Sequence, residues 1–176
     1  NTCTLQGLNG YIVEVETDIS RGMPSFNIVG LPGTSIKESK ERVRTAIKNS
    51  GYEFPLSRIT INLAPANLRK EGSQIDLSIA VGILISVGII KQNDYSNTAF
   101  VGELSLDGNI NKIEGALPIV ISLREMKIKT AIIPFDNKDE CGVIDGINII
   151  PVNNLKELVE HLNGLEVIAP YKNNPS

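Results

Sequence analysis

Fourteen consecutive residues without a charge, Leu77 to Ile90 ("LSIAVGILISVGII"), constrain this chain more than any other feature. The run is short of the ~20 residues that a bilayer-spanning helix needs, so it predicts a buried helix. Ser73 and Asp76 stand ahead of it in the S-x-x-[DE] spacing of a capping box, which predicts a helix from Gln74 to about Val87 with Ser73 as its cap. Ile75, Leu77, Ile79, Val81, Ile83, Leu84 and Val87 leave that helix apolar nearly all round. It is therefore expected at the centre of the core. A chain of 176 residues, 41% hydrophobic, fits one domain. With aromatic residues at 5% and no Trp, the core must be mostly Ile, Leu and Val.

The elements around the central helix follow from period and punctuation. Thr2 to Leu8 and Tyr11 to Ile19 read as strands joined at Asn9-Gly10, a hairpin signal, with Val13 and Val15 on one face. Ser25 to Val29 is a third strand. After the Gly30 to Gly33 loop a helix runs to about Ser50, with Ser35 and Glu38 as a capping box. Ile36, Val43 and Ile47 form its inward stripe, and Gly51 closes it. Arg58 to Leu63 reads as a strand. Thr98 to Glu103 and Asn109 to Lys112 read as strands about a turn at Asp107-Gly108. Ala116 to Met126 reads as a helix. Thr130 to Ile133 and Ile147 to Val152 are further strands, and Leu155 to Leu162 is a closing amphipathic helix. Strands first, then alternating helices and strands, predict an α+β sandwich with helices packed on a mixed sheet.

Net charge is −3, no global attraction for nucleic acid, but from Thr34 to Lys70 eight Lys/Arg oppose three Glu. Within the first helix Lys37, Arg44 and Lys48 fall on one line, a stripe that could follow phosphates. Glu38 with Arg42, and Glu41 beside Lys37 and Arg44, give the competing reading of a solvated face of mixed charge, with no aromatic stacking platform. The stretch "GLPGTSIKES" (Gly30 to Ser39) lacks the lysine directly after the last glycine that a phosphate loop requires. One histidine, His161, and two distant cysteines, Cys3 and Cys141, predict neither a metal site nor a disulfide framework. No basic, apolar leader opens the chain, which predicts a cytoplasmic protein away from membranes. The polar ends, Asn1 and "YKNNPS", predict a piece of a longer polypeptide.

"RKEGSQIDLSIA" (Arg69 to Ala80) raises the question of chemistry. Lys70 and Ser73 could form a Ser-Lys pair only if burial lowered the lysine pKa, and an approach loop would leave it protonated. The longer segment "VGLPGTSIKESKERVRTAIKNSGYEFPLSRITINLAPANLRKEGSQIDLSIAVGIL" resembles the N-terminal domain of the magnesium-chelatase-like AAA+ ATPases, from about Leu5 to about Val152. The resemblance implies a Lon-protease-like fold, shared with the second domain of a small-subunit ribosomal protein. It implies a domain over residues 1–164 and a linker over 165–176 toward an AAA+ module.

Laid on the Lon signature, Lys70, Glu71 and Gly72 match its start, Ser73 falls on the proline, Gln74 on the nucleophile and Asp76 on the final glycine. "VGELSLDGNINKIEGAL" resembles the segment leading to the general-base lysine, which falls on Leu117. Lys112 is the nearest lysine. An amide is no nucleophile and a leucine takes no proton, so no catalytic residue is expected. The resemblance further implies a hexameric ring, with ATP and magnesium in the AAA+ module and none in this domain, and a motor that in ComM-type members acts on branched DNA in recombination. Three readings follow: a non-catalytic accessory domain, a divergent peptidase using Ser73, and a DNA-binding module using Lys37, Arg44, Lys48, Arg69 and Lys70.

Overall fold

A computed structural model describes residues 2–31, 33–65 and 75–174. β1 (Thr2–Leu8) and β2 (Tyr11–Ser20) pair antiparallel through the Asn9-Gly10 turn, where Gly10 takes φ 89°. β2 then pairs antiparallel with β4 (Arg58–Ala64), and β3 (Ser25–Val29) runs parallel to β4 at the edge. On the other side β1 is parallel to β5 (Thr98–Phe100), β5 to β8 (Thr130–Pro134), and β8 to β9 (Asn148–Val152). The seven strands stand in the order β3-β4-β2-β1-β5-β8-β9. Sheet and helices make an α+β domain with a mixed sheet, as expected.

A separate two-stranded ribbon, β6 (Glu103–Leu104) with β7 (Ile110–Asn111), holds the turn at Asp107-Gly108. The sequence reading ran one strand from Thr98 to Glu103. The chain instead leaves the main sheet after Phe100, because Gly102 passes close to Ile110 and Leu77 and leads into the ribbon.

α1 (Gly33–Asn49) and α2 (Asp76–Ser86) lie on one face of the sheet, and α5 (Leu155–Leu162) shares their apolar core. α3 (Ala116–Glu125) and the short α4 (Lys138–Cys141) belong to a second core on the other face, with Ala99, Val101, Ala131 and Ile133. Val13 and Val15 are both fully buried, as alternation along β2 demands. Residues 76–85 of α2 are all buried, which confirms the central helix.

One start signal is corrected and one lies outside the described residues. α1 begins at Gly33, so Ser35 is inside the first turn and is not its cap; Glu38 points outward, its side chain 76% exposed. α2 begins at Asp76 after Ile75, whose side chain makes no capping hydrogen bond. Ser73, read as that cap, lies outside the described residues.

The helix is also less uniformly apolar at its contact with the sheet than the run suggests. Ser78, Gly82 and Ser86, spaced by four, face the polar side chains of β1 and β2. Ser78 Oγ donates to Gln6 Oε1 (2.7 Å), Thr4 Oγ1 donates to the Ser78 carbonyl (3.0 Å), and Ser86 Oγ donates to Thr2 Oγ1 (2.9 Å). Small residues let the helix sit close, and paired hydroxyls remove the cost of burying them.

Candidate functional site

Where α2 starts, three elements converge on one carboxylate. Asp76 is wholly buried. Arg42 Nε donates to its Oδ2 at 2.6 Å and Arg42 Nη2 to its Oδ1 at 3.2 Å. Ser39 Oγ donates to Oδ1 at 2.8 Å, and the Leu104 backbone N–H adds a further bond. Ser39 and Arg42 are three apart on α1, so they share a face. The planar guanidinium meets the carboxylate with two bonds, the geometry that suits this pair. Burial pushes the Asp76 carboxyl up to about 6, against Arg42 and Ser39, which pull it down. Arg42 is held above its ordinary value by the same bond.

Such a carboxylate is committed to its donors and shut from solvent. It cannot reach a substrate. It ties α1, α2 and the β6–β7 ribbon together. Asp76 was read from the sequence as a capping-box partner of Ser73. Ser73 lies outside the described residues; what the structure shows is that the carboxylate crosses to α1. The available signal was a lone acid at the head of an apolar run, with Ser39 and Arg42 interrupting the inward stripe of α1.

The basic stripe divides. Lys37 and Lys48 are exposed. Arg44 lies over the rings of Phe26 (5.9 Å) and Phe54 (5.5 Å), which are themselves 5.4 Å apart. β3 and the α1–β4 connection bring in rings that the helix itself lacks. Glu38 and Arg42 do approach, at 3.9 Å, but the principal partner of Arg42 is Asp76. Arg69, Lys70, Ser73 and Gln74 lie outside the described residues.

Leu117 is half-buried in the first turn of α3, and Lys112 is exposed directly after β7. Asn137, unremarked in the sequence, is fully buried; it accepts from Ile113 N–H at 3.0 Å and donates to the Ile113 carbonyl at 2.9 Å, fixing the approach to α3. His161 accepts from the Ile168 N–H through Nδ1 (2.9 Å), and burial lowers its pKa. Cys3 and Cys141 are both free thiols. Among the described residues no cluster of His, Cys, Asp and Glu could hold a metal ion, and no helix is long and apolar enough to cross a membrane.

The family model for subunit ChlI of Mg-chelatase matches residues 15–137, from within β2 through the turn after β8, and so takes in the whole Ser39–Arg42–Asp76 cluster. The chain belongs to that family. Within this Mg-chelatase-like group it is 42% identical to YifB of Escherichia coli K12 over 161 residues, 90% of this chain and 31% of that protein. It is 36% identical to the competence protein ComM of Haemophilus influenzae over 160 residues, 91% of this chain and 31% of that protein. Lon protease 2 of Bacillus subtilis is 26% identical over 171 residues, 88% of this chain and 30% of the protease. The fold is thus Lon-like. The chain spans about a third of the length of the curated relatives it matches.

Proposed function

We propose that this is a non-catalytic accessory domain of a magnesium-chelatase-like AAA+ ATPase, one that helps a ring assemble or engage DNA as a ComM-type helicase or branch-migration motor. The observation that carries the reading is the family match across residues 15–137, joined to the likeness with ComM over nine-tenths of the chain. The motor's ATP and magnesium belong to its AAA+ module, and a hexamer in the cytoplasm is the assembly this reading expects.

The Lon-like frame argues for the same role. On the resemblance to the Lon signature, Gln74 and Leu117 fall on its serine and lysine, and neither side chain could do that chemistry. Asp76, the nearest ionisable group on α2, is engaged by Arg42, Ser39 and Leu104. A fluorophosphonate probe is expected to leave Ser73 unlabelled under conditions that mark an active Lon domain. Labelling lost in Ser73→Ala would replace this reading with the peptidase one.

DNA engagement rests on the exposed Lys37 and Lys48, with Arg69 and Lys70 as further phosphate contacts. In the full-length protein, Lys37→Glu with Lys48→Glu is expected to weaken DNA binding at least tenfold and flatten its salt dependence by about two contacts. Unchanged affinity and salt slope would exclude this surface.

A further inference from the structure

Arg44 and Lys48 stand four residues apart on α1, and both line a pocket of about 180 Å³ where the helix meets β3 and the chain entering β4. Like charges at that spacing repel. Neither residue enters an ion pair among the described residues. No carboxylate of the described residues lines the pocket; Glu53 belongs to the adjoining groove.

Arg44 is half-buried, and its guanidinium lies over the Phe26 and Phe54 rings, 5.9 and 5.5 Å from their centroids. The rings hold the cation in place. They do not take its N–H groups as a carboxylate would. Among the described residues the arginine side chains that donate hydrogen bonds are Arg42 and Arg124. Arg44 thus presents a fork of N–H donors, partly withdrawn from water, with no acceptor among the described residues. Ser25 and Ser57 bring hydroxyls to the same space. Two cations and two hydroxyls without an acid fit a phosphoryl oxyanion, which a guanidinium takes with paired bonds.

The apolar part of the lining says which phosphate. Leu56 is in the wall beside Phe54 and Pro55 and is 85% exposed; Met23, directly before Pro24 of the lining, is 87% exposed. A duplex keeps its base faces stacked inside and would leave such a wall bare. A single strand can lay one base on it while the next phosphate meets the cations.

We propose that this pocket binds a phosphodiester of single-stranded nucleic acid, with Arg44 and Lys48 on the phosphate and the adjoining base against Leu56 and Phe54. The inference rests on the DNA-engagement reading and narrows it from a basic surface to one pocket and one form of DNA.

Fluorescence anisotropy of the 176-residue chain, with a short labelled oligothymidylate and with a blunt duplex over a range of salt, tests it. The single strand should bind at least fivefold tighter than the duplex. Arg44→Gln and Lys48→Gln should each weaken it about tenfold and lower the salt slope by about one contact. Arg44→Lys keeps a cation over the rings, so it should fold as the parent and hold the salt slope, yet bind several-fold more weakly for want of the fork. Leu56→Ser, at an exposed position, should weaken the single strand about fivefold and leave both the duplex affinity and the salt slope unchanged. Equal affinity for the two forms, or parental binding by Arg44→Gln and Leu56→Ser, would overturn the pocket; loss of that binding in Lys37→Glu with Lys48→Glu would still leave the broader DNA reading standing. Binding of neither form by the chain would remove both. Inorganic phosphate or polyglutamate competing as well as unlabelled oligothymidylate, at equal charge, would make this a general anion site and sink the strand assignment.

Discussion

Asp76 is the residue on which most depends. Its ionised form is disfavoured by burial, so its folded-state pKa, about 6, lies above the ordinary carboxylate value of 3.8. The folded chain therefore holds a proton that the unfolded chain has lost between those values. Stability from this group is full below about pH 4 and falls as pH rises through about 6, by roughly 3 kcal/mol across the window. Urea unfolding of Asp76→Asn should show a flatter profile than the parent between pH 4 and 6. An identical profile would mean that Asp76 is ionised at its ordinary pH. Asp76→Ala orphans the Ser39 hydroxyl and the Leu104 N–H and should cost about 2–3 kcal/mol at neutral pH. Arg42→Met should cost at least as much, because it leaves the buried Asp76 carboxylate without its cation.

Among the elements, α2 decides the packing. A Cβ at Gly82 would meet Thr17 Oγ1 well inside contact distance. Gly82→Ala is expected to lose about 1–3 kcal/mol to overpacking, in spite of alanine's better helix propensity. The Thr17 hydroxyl is fully buried and has no hydrogen-bond partner among the described residues. Thr17→Val should therefore raise stability by about 1 kcal/mol, since it keeps the volume and removes an unsatisfied polar atom. Gly82→Ala should be far better tolerated in a Thr17→Ala background than alone, and the shortfall from additivity, measured by chemical unfolding, reports the contact.

For the molecule as a whole, the outer edge of the sheet at β9 is lapped by the chain's own end. Tyr171 N–H bonds the Ile149 carbonyl at 2.8 Å and Asn173 N–H the Gly142 carbonyl at 2.9 Å. The Tyr171 ring lies against Gly142 and under Lys138, and its hydroxyl donates to Asp139. A covered edge is closed to pairing with other chains. Tyr171→Ala should uncover it, with a loss of about 1–2 kcal/mol and faster amide exchange along β9 as the readouts. Protection of β9 equal to that of the parent would show that the chain's end is not what seals it.

Period and punctuation in the sequence determined most of the elements: the Asn9-Gly10 hairpin, the Val13–Val15 face, the buried helix of the uncharged run, α3 and α5. Each of those is a local pattern set by 2.0 or 3.6 residues per turn. Membership in the Mg-chelatase-like family was equally legible, because the matching segment is continuous. What only the tertiary structure decided are the pairings across long separations. Arg42 turns from its helical neighbour Glu38 to Asp76, and Arg44 lies on rings from β3 and from beyond its own helix. Ser78, Gly82 and Ser86 become a seam against β1 and β2. No local period encodes which polar side chain meets which, since that is set by how the helices lie on the sheet, and burial then compels each group to take the partner it meets there.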